Sequence, residues 1–113
     1  MTRANEKHTK KDFTTAFIDL ARERFGQSSG KVDLRPILSQ VEGYSYEALR
    51  LMLKGQRTLK MEAIEGMSKV LGVSPHHFIE YRQMWTSRMM QRHPDLGDSL
   101  YHMTKQYLEG KSD

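Results

Sequence analysis

The chain has 113 residues, about the size of one ordinary domain, and its 37% hydrophobic and 28% charged residues allow a core but not a bilayer-embedded protein. No apolar run approaches the roughly 20 residues that span a membrane, Met1 to Lys11 lacks the apolar stretch of a signal peptide, and there is no cysteine. Disulfides and thiol chemistry are therefore excluded, a cytoplasmic location is expected, and the 18 Lys and Arg against 14 Asp and Glu, a formal charge of +4, suit a polyanionic partner.

Residues 1–11 carry Arg3, Lys7, Lys10 and Lys11 against Glu6 alone and are almost free of apolar side chains, which predicts a flexible basic arm. Phe13, Phe17, Leu20, Ala21 and Arg24 then recur at helical spacing, so a first helix of about three turns is expected to end at Gly26. A second helix is expected with Asp33 as N-cap and Pro36 in its first turn, where a missing N–H costs nothing, and with Leu34, Ile37, Leu38 and Val41 facing inward.

Gly43 breaks the chain before Ser45, whose hydroxyl can cap a third helix that buries Ala48, Leu49, Met52 and Leu53. Gly55 stops it. The fourth helix has the cleanest pattern, Met61, Ile64, Met67, Ser68 and Leu71, and Gly72 ends it. Ser74-Pro75 predicts the opening of a fifth helix with Phe78, Tyr81, Trp85 and Met89 along one side, ending near His93-Pro94. A last helix is expected from about Asp98 to Glu109, with Leu100, Met103, Tyr107 and Leu108 on one stripe and Gly110 beyond its end. No strand signal or repeat appears. The expected class is all-α, a bundle of five to six helices with a carboxy-terminal helical extension, divided into an arm at 1–11, a domain at 12–81 and helices at 82–113.

The segment from Gly43 to Arg57, followed by Met61 to Ser74, resembles the helix-turn-helix domain of the Cro and lambda-repressor family. Ser45 sits where that family caps its recognition helix, Leu49 and Met52 fall on its buried positions, Gly55-Gln56-Arg57 looks like its glycine-basic loop, and Ser68 and Leu71 to Ser74 keep its register. The match covers about 40 residues, with residues 12–42 similar only in helical outline. Two registers of the turn stay open: Val41 fits the last buried position of the second helix better than Glu42, whereas Ser39 fits the small-residue position only without an insertion. The proline and the hydroxyl cap that the family often has near Leu59 and Lys60 are missing, and Leu51 stands where a polar, DNA-reaching side chain is common.

The resemblance implies binding of double-stranded DNA by a transcriptional regulator, with residues 45–54 as the helix in the major groove. The early exposed residues Tyr46, Glu47 and Arg50 are the candidate base readers: arginine forks guanine O6 and N7, glutamate accepts from the cytosine amino group, and a tyrosine ring packs on a thymine methyl. Glu47 alternatively pairs with a neighbour on a solvated face. Arg35, Ser45, Lys54, Gln56, Arg57, Thr58 and Lys60 are the candidate phosphate contacts, with Gln56 and Thr58 beside exposed backbone N–H groups. Between Arg35 and Lys60 there are five basic and two acidic residues.

The apolar residues of the last two helices exceed what a solvated tail needs. They either pack back on the first four helices or form a two-fold interface; we expect a homodimer, with Trp85, Met89, Leu100, Met103 and Tyr107 at the contact. An antitoxin or adaptor role of the same fold would instead give these helices a different protein partner. His8, His76, His77, His93 and His102 show no metal-ligand spacing, and no phosphate loop, nucleophile elbow or other catalytic pattern is present, so neither metal, cofactor nor enzymatic activity is expected.

Overall fold

A computed structural model describes residues 8–27 and 29–111. Over these residues the protein is all-α, with no strand: α1 (Phe13–Phe25), α2 (Arg35–Leu38), α3 (Tyr46–Leu53), α4 (Met61–Leu71), a 3-10 turn at Pro75–His77, α5 (Ile79–Arg92) and α6 (Pro94–Lys111). Two compact units divide the chain, one closing at Arg82 and the other beginning at Gln83. Among the described residues no helix is long and apolar enough to cross a membrane.

In the first unit α4 is the central element, packing against α1, α2 and the 3-10 turn. Its Ile64, Ala63 and Met67 are fully buried, together with Phe13 and Phe17 of α1, Leu38 of α2, Leu49 of α3 and Phe78. The aromatic pair Phe13 and Phe78 meets edge to face at 4.6 Å. Such a pair adds about 0.5–1.5 kcal/mol beyond the area it buries.

α1 starts at Asp12, whose carboxylate accepts from the Thr15 N–H at 3.1 Å and the Thr15 hydroxyl at 2.8 Å. A second acceptor comes from far along the chain, since Glu80 Oε2 takes the Phe13 N–H at 2.9 Å. The buried stripe is Phe13, Ala16, Phe17 and Ala21, so Ala16 takes the place expected for Leu20, which is only half-buried. Arg24 is not part of the core either; its guanidinium donates to the Leu71 carbonyl at the end of α4.

The expected N-cap at Asp33 is corrected. Leu34 is the N-cap and already has helical backbone angles, while Asp33 Oδ1 accepts from the Arg35 N–H at 3.1 Å in a tight side-chain turn. α2 is also shorter than its apolar pattern implies. After Leu38 the chain tightens into turns in which Gln40 N–H donates to the Ile37 carbonyl and Val41 N–H to that of Leu38, so Val41 is buried without being helical. Of the two registers for the turn, this one puts Val41 inward and leaves Ser39 and Glu42 exposed. Val41 lies so close to α4 that a Cβ on Gly66 would sit 2.7 Å from its Cγ1.

α3 follows its sequence pattern fully: Ser45 Oγ accepts from the Ala48 N–H at 3.1 Å, and Ala48, Leu49, Met52 and Leu53 are the buried residues. Thr14 of α1 donates its hydroxyl to the Leu53 carbonyl at 2.7 Å and so ties down the far end of α3. The helix closes on Gly55, whose φ of +76° is the left-handed conformation that a side chain would resist.

The fifth helix starts later than expected. Ser74 caps a 3-10 turn by accepting from the His76 N–H, and Phe78 is then extended before α5 begins at Ile79. The reason is packing: Phe78 leaves the helical path to become fully buried against Phe13. Arg82 reinforces the turn by donating from Nη1 to the His76 and His77 carbonyls and from Nη2 to that of Thr9, each at 2.9 Å. Thr9 N–H also donates to the His77 carbonyl at 3.0 Å, and Lys11 pairs with Asp19 at 2.7 Å. Residues 9–11, expected within the basic arm, thus carry fixed contacts, while Arg3, Glu6 and Lys7 lie outside the described residues.

In the second unit α5 ends at Arg92, beside the expected joint at His93-Pro94. α6 begins at Pro94 rather than near Asp98 and runs through Gly110 to Lys111. Proline is suited to the first helical position, and the His93 carbonyl accepts from the N–H groups of both Leu96 and Gly97.

Candidate nucleic-acid interface

The Ser45 cap sets where α3 begins, and its four buried residues set which side faces the core. The opposite side carries Glu47, Arg50, Leu51 and Lys54 at spacings of three, four and seven residues, with Tyr46 beside them at the amino-terminal end. Glu47 and Lys54 are exposed, whereas Tyr46, Arg50 and Leu51 are half-buried. An apolar, half-covered Leu51 offers methyl groups on this face instead of a hydrogen bond.

The side chains expected to read bases are engaged with protein groups. Arg50 grips Glu47 in two places, donating from Nε to Oε1 at 3.0 Å and from Nη2 to Oε2. This pair holds the Glu47 carboxyl below its ordinary range, mainly through the hydrogen bond from Arg50, and raises Arg50 further by the same bond. Across the turn, the Arg35 guanidinium lies 5.0 Å over the ring of Tyr46. Arg35 therefore joins the start of α2 to the start of α3, an arrangement that a cation–π attraction favours.

Lys54, Gln56, Arg57, Thr58 and Lys60 are all exposed and run from the end of α3 to the start of α4, and Arg35 and Ser45 are exposed as well. The Ser45 hydroxyl accepts the Ala48 N–H and still has its own proton to donate. The expectation of exposed backbone N–H groups beside Gln56 is corrected at Gly55 and Gln56. Gly55 N–H donates to the Met52 carbonyl at 3.1 Å and Gln56 N–H to that of Leu51 at 2.9 Å, a helix-ending arrangement that uses up these backbone donors. Phosphate contact at Gln56 would rest on its side chain.

A groove of about 520 Å³ between the α2–α3 turn and α4 is lined by Glu42, Glu62 and Glu65 with Val41, Gly66, Lys69 and Val70. Three carboxylates make it a poor seat for phosphate. Glu65 is also committed to the fold, accepting from the Tyr81 hydroxyl at 2.5 Å.

The residues expected at a dimer contact all fall within the second unit. Trp85 is 40% exposed, Met103 62% and Tyr107 61%, whereas Met89 and Leu100 are half-buried. Leu96, Tyr101 and Leu108 extend the exposed apolar surface of α6. Among the described residues no group of three His, Cys, Asp or Glu side chains is arranged to hold a metal ion.

Two features of the site had no local signal. The Arg35–Tyr46 contact needs the turn geometry, and the donors lost to Gly55 and Gln56 need the end of α3 to be known. The Glu47–Arg50 pair was legible as an (i, i+3) spacing. Comparison of the chain with protein-family models, with curated proteins and with solved structures found no match.

Proposed function

We propose that this chain binds double-stranded DNA sequence-specifically as a transcriptional regulator, with α3 in the major groove in the manner of the Cro and lambda-repressor family. The observation that carries the reading is the outer face of α3. It presents Arg50 beside Glu47, and the exposed Arg35, Lys54, Arg57 and Lys60 lie along the segments that flank it. Phosphate contacts from such flanking cations position a helix, and base contacts from its outer face specify the sequence.

The four flanking cations give a quantitative expectation. If each neutralises one phosphate, log affinity falls with log salt at a slope of about −3 to −4 per chain. Lys60→Ala should reduce that slope by about one unit while leaving base preference unchanged. The deciding experiment is selection of bound duplexes from a random pool at stated near-physiological salt. Enrichment of one motif supports the reading, and Arg50→Ala should then lose preference at one base pair. Weak binding that fades with salt and enriches nothing would refute it.

The homodimer belongs to the same proposal. The exposed Trp85, Met103 and Tyr107 are adaptable apolar groups of the kind found at interfaces, and a two-fold pair would select a two-fold repeated motif. Sedimentation equilibrium showing monomer alone, free and on DNA, would remove this part. The same exposed residues favour a second reading, an antitoxin or adaptor whose second unit meets a different protein; there Arg50→Ala and Arg57→Ala would leave partner binding intact.

A further inference from the structure

An arginine has five N–H donors, and they form two usable edges: Nε with Nη2 from the side, and Nη1 with Nη2 from the end. Glu47 occupies the side edge of Arg50 with both its oxygens, Oε1 on Nε at 3.0 Å and Oε2 on Nη2. Two of the five donors are used, and the end edge is not part of this pair. That edge has the fork geometry that meets guanine O6 and N7. The Arg50 side chain is 33% exposed against 59% for Glu47, so the arginine is the more covered of the two.

The sequence offered Glu47 and Arg50 as separate base contacts, whereas the two-point pair joins them into one unit. Both Glu47 oxygens accept from Arg50, a charge-assisted, two-point pair that is among the stronger side-chain hydrogen-bond arrangements, so only their outer lone pairs, in directions fixed by that pair, are left for a base. Without Glu47, Arg50 would regain the rotamer freedom that the pair removes, and the cost of ordering it would fall on DNA binding. The carboxylate also repels phosphates, so a braced Arg50 is discouraged from settling on the backbone in place of a base.

We propose that Glu47 is a positioning residue, holding Arg50 by its Nε/Nη2 edge so that the Nη1/Nη2 edge forks O6 and N7 of a single guanine. This rests on the major-groove reading of α3. The base pair at that position is specified by Arg50 alone, and Glu47 sets how strictly it is read.

The test compares wild type, Glu47→Gln, Arg50→Ala and the double variant. Each is titrated with the selected duplex, with its complete set of single-base substitutions, and with an unrelated duplex, and its thermal unfolding is recorded. Glu47 is exposed, so Glu47→Gln is expected to melt close to wild type. It should lower guanine discrimination at the base pair read by Arg50 by roughly tenfold and bind the unrelated duplex more tightly. The double variant should discriminate no worse than Arg50→Ala alone, because the two residues act as one unit. In the free protein the Arg50 Nε–H should be protected from exchange in wild type and lose that protection in Glu47→Gln. An unprotected Nε–H in wild type overturns the proposal. So does a Glu47→Gln protein that keeps full guanine preference, or one that changes preference at a different base pair, which would make Glu47 a reader. A wild type that selects no motif overturns the DNA reading itself, before any variant is compared, and the positioning role falls with it.

Discussion

Gly66 lies inside α4, where an alanine would ordinarily be better by about 1 kcal/mol because glycine loses more backbone freedom on folding. The structure reverses that expectation. A Cβ at this position would sit 2.7 Å from Val41 Cγ1, about 1 Å inside the contact distance of two carbon atoms. Val41 is only 5% exposed, and its branched side chain has few rotamers to escape into. Overpacking of this kind costs about 1–3 kcal/mol. Set against the helix gain, Gly66→Ala should destabilise the protein by about 1 kcal/mol, a fall in Tm of roughly 4–8 °C for a unit of this size. The clash is confined to one methyl group, because Val41 Cβ itself would be 3.9 Å away. In a Val41→Ala background the same Gly66→Ala change should therefore stabilise by about 1 kcal/mol. The sign reversal, a coupling of about 2 kcal/mol between the two sites, is read from urea or thermal unfolding of the four proteins. A Gly66→Ala change that stabilises the intact chain, or that has the same sign in both backgrounds, would refute the close approach that holds the α2–α3 turn on α4.

Three further outcomes follow from the same structure. Ser68 is fully buried and its hydroxyl has no hydrogen-bond partner among the described residues, so Ser68→Ala should stabilise by about 1 kcal/mol in urea unfolding, combining removal of an unpaired polar group with better helix propensity. Ser45→Ala removes the cap of α3; it should cost about 1 kcal/mol of stability and weaken DNA binding along with it, measured by unfolding and by duplex titration. The carboxyls of Asp12 and Glu47 are both held below their ordinary range, by the Thr15 hydroxyl and by Arg50. A lowered folded-state value means that the unfolded chain binds protons first as pH falls. The stabilisation is therefore complete above about pH 5 and is lost as pH drops through the lowered folded values. Both carboxyls are exposed, so their share of the acid fall is small: thermal unfolding between pH 7 and pH 2 should be slightly less pH-dependent in Asp12→Asn with Glu47→Gln than in wild type, with little change at pH 7.

Wherever two neighbouring turns of one helix carried the information, the chain could be read directly. The Ser45 cap, the four buried residues of α3, the stripe from Met61 to Leu71 and the stop at Gly72 all depend on contacts within three to five residues, and the structure has each of them. The Glu47–Arg50 pair belongs to the same class, because its spacing places both side chains on one helical face. The joint at His93-Pro94 was legible too, since proline cannot continue a helix but can begin one.

The departures arise where a residue answers to something distant in sequence. Phe78 had a helical pattern, yet burial against Phe13 drew it out of α5. Val41 had the spacing of a helical core position, yet α2 stops at Leu38 and a tight turn delivers Val41 to Gly66. Asp33 had the signature of a cap, and Leu34 entered the helical region ahead of the expected start. The amino-terminal end of α1 is satisfied partly by Glu80, 67 residues away, which no local rule would nominate.

Local hydrogen bonding and helical periodicity thus determined, from the amino acids alone, the all-α class, the position of α3 and the residues on its outer face. Tertiary packing decided how long α2 is, where α5 begins, that Arg35 lies over Tyr46, and that the N–H groups of Gly55 and Gln56 turn inward. The division has a physical basis: a helix face is set by neighbours one turn apart, whereas the ends of helices go where buried side chains and unpaired backbone groups find partners from other parts of the chain.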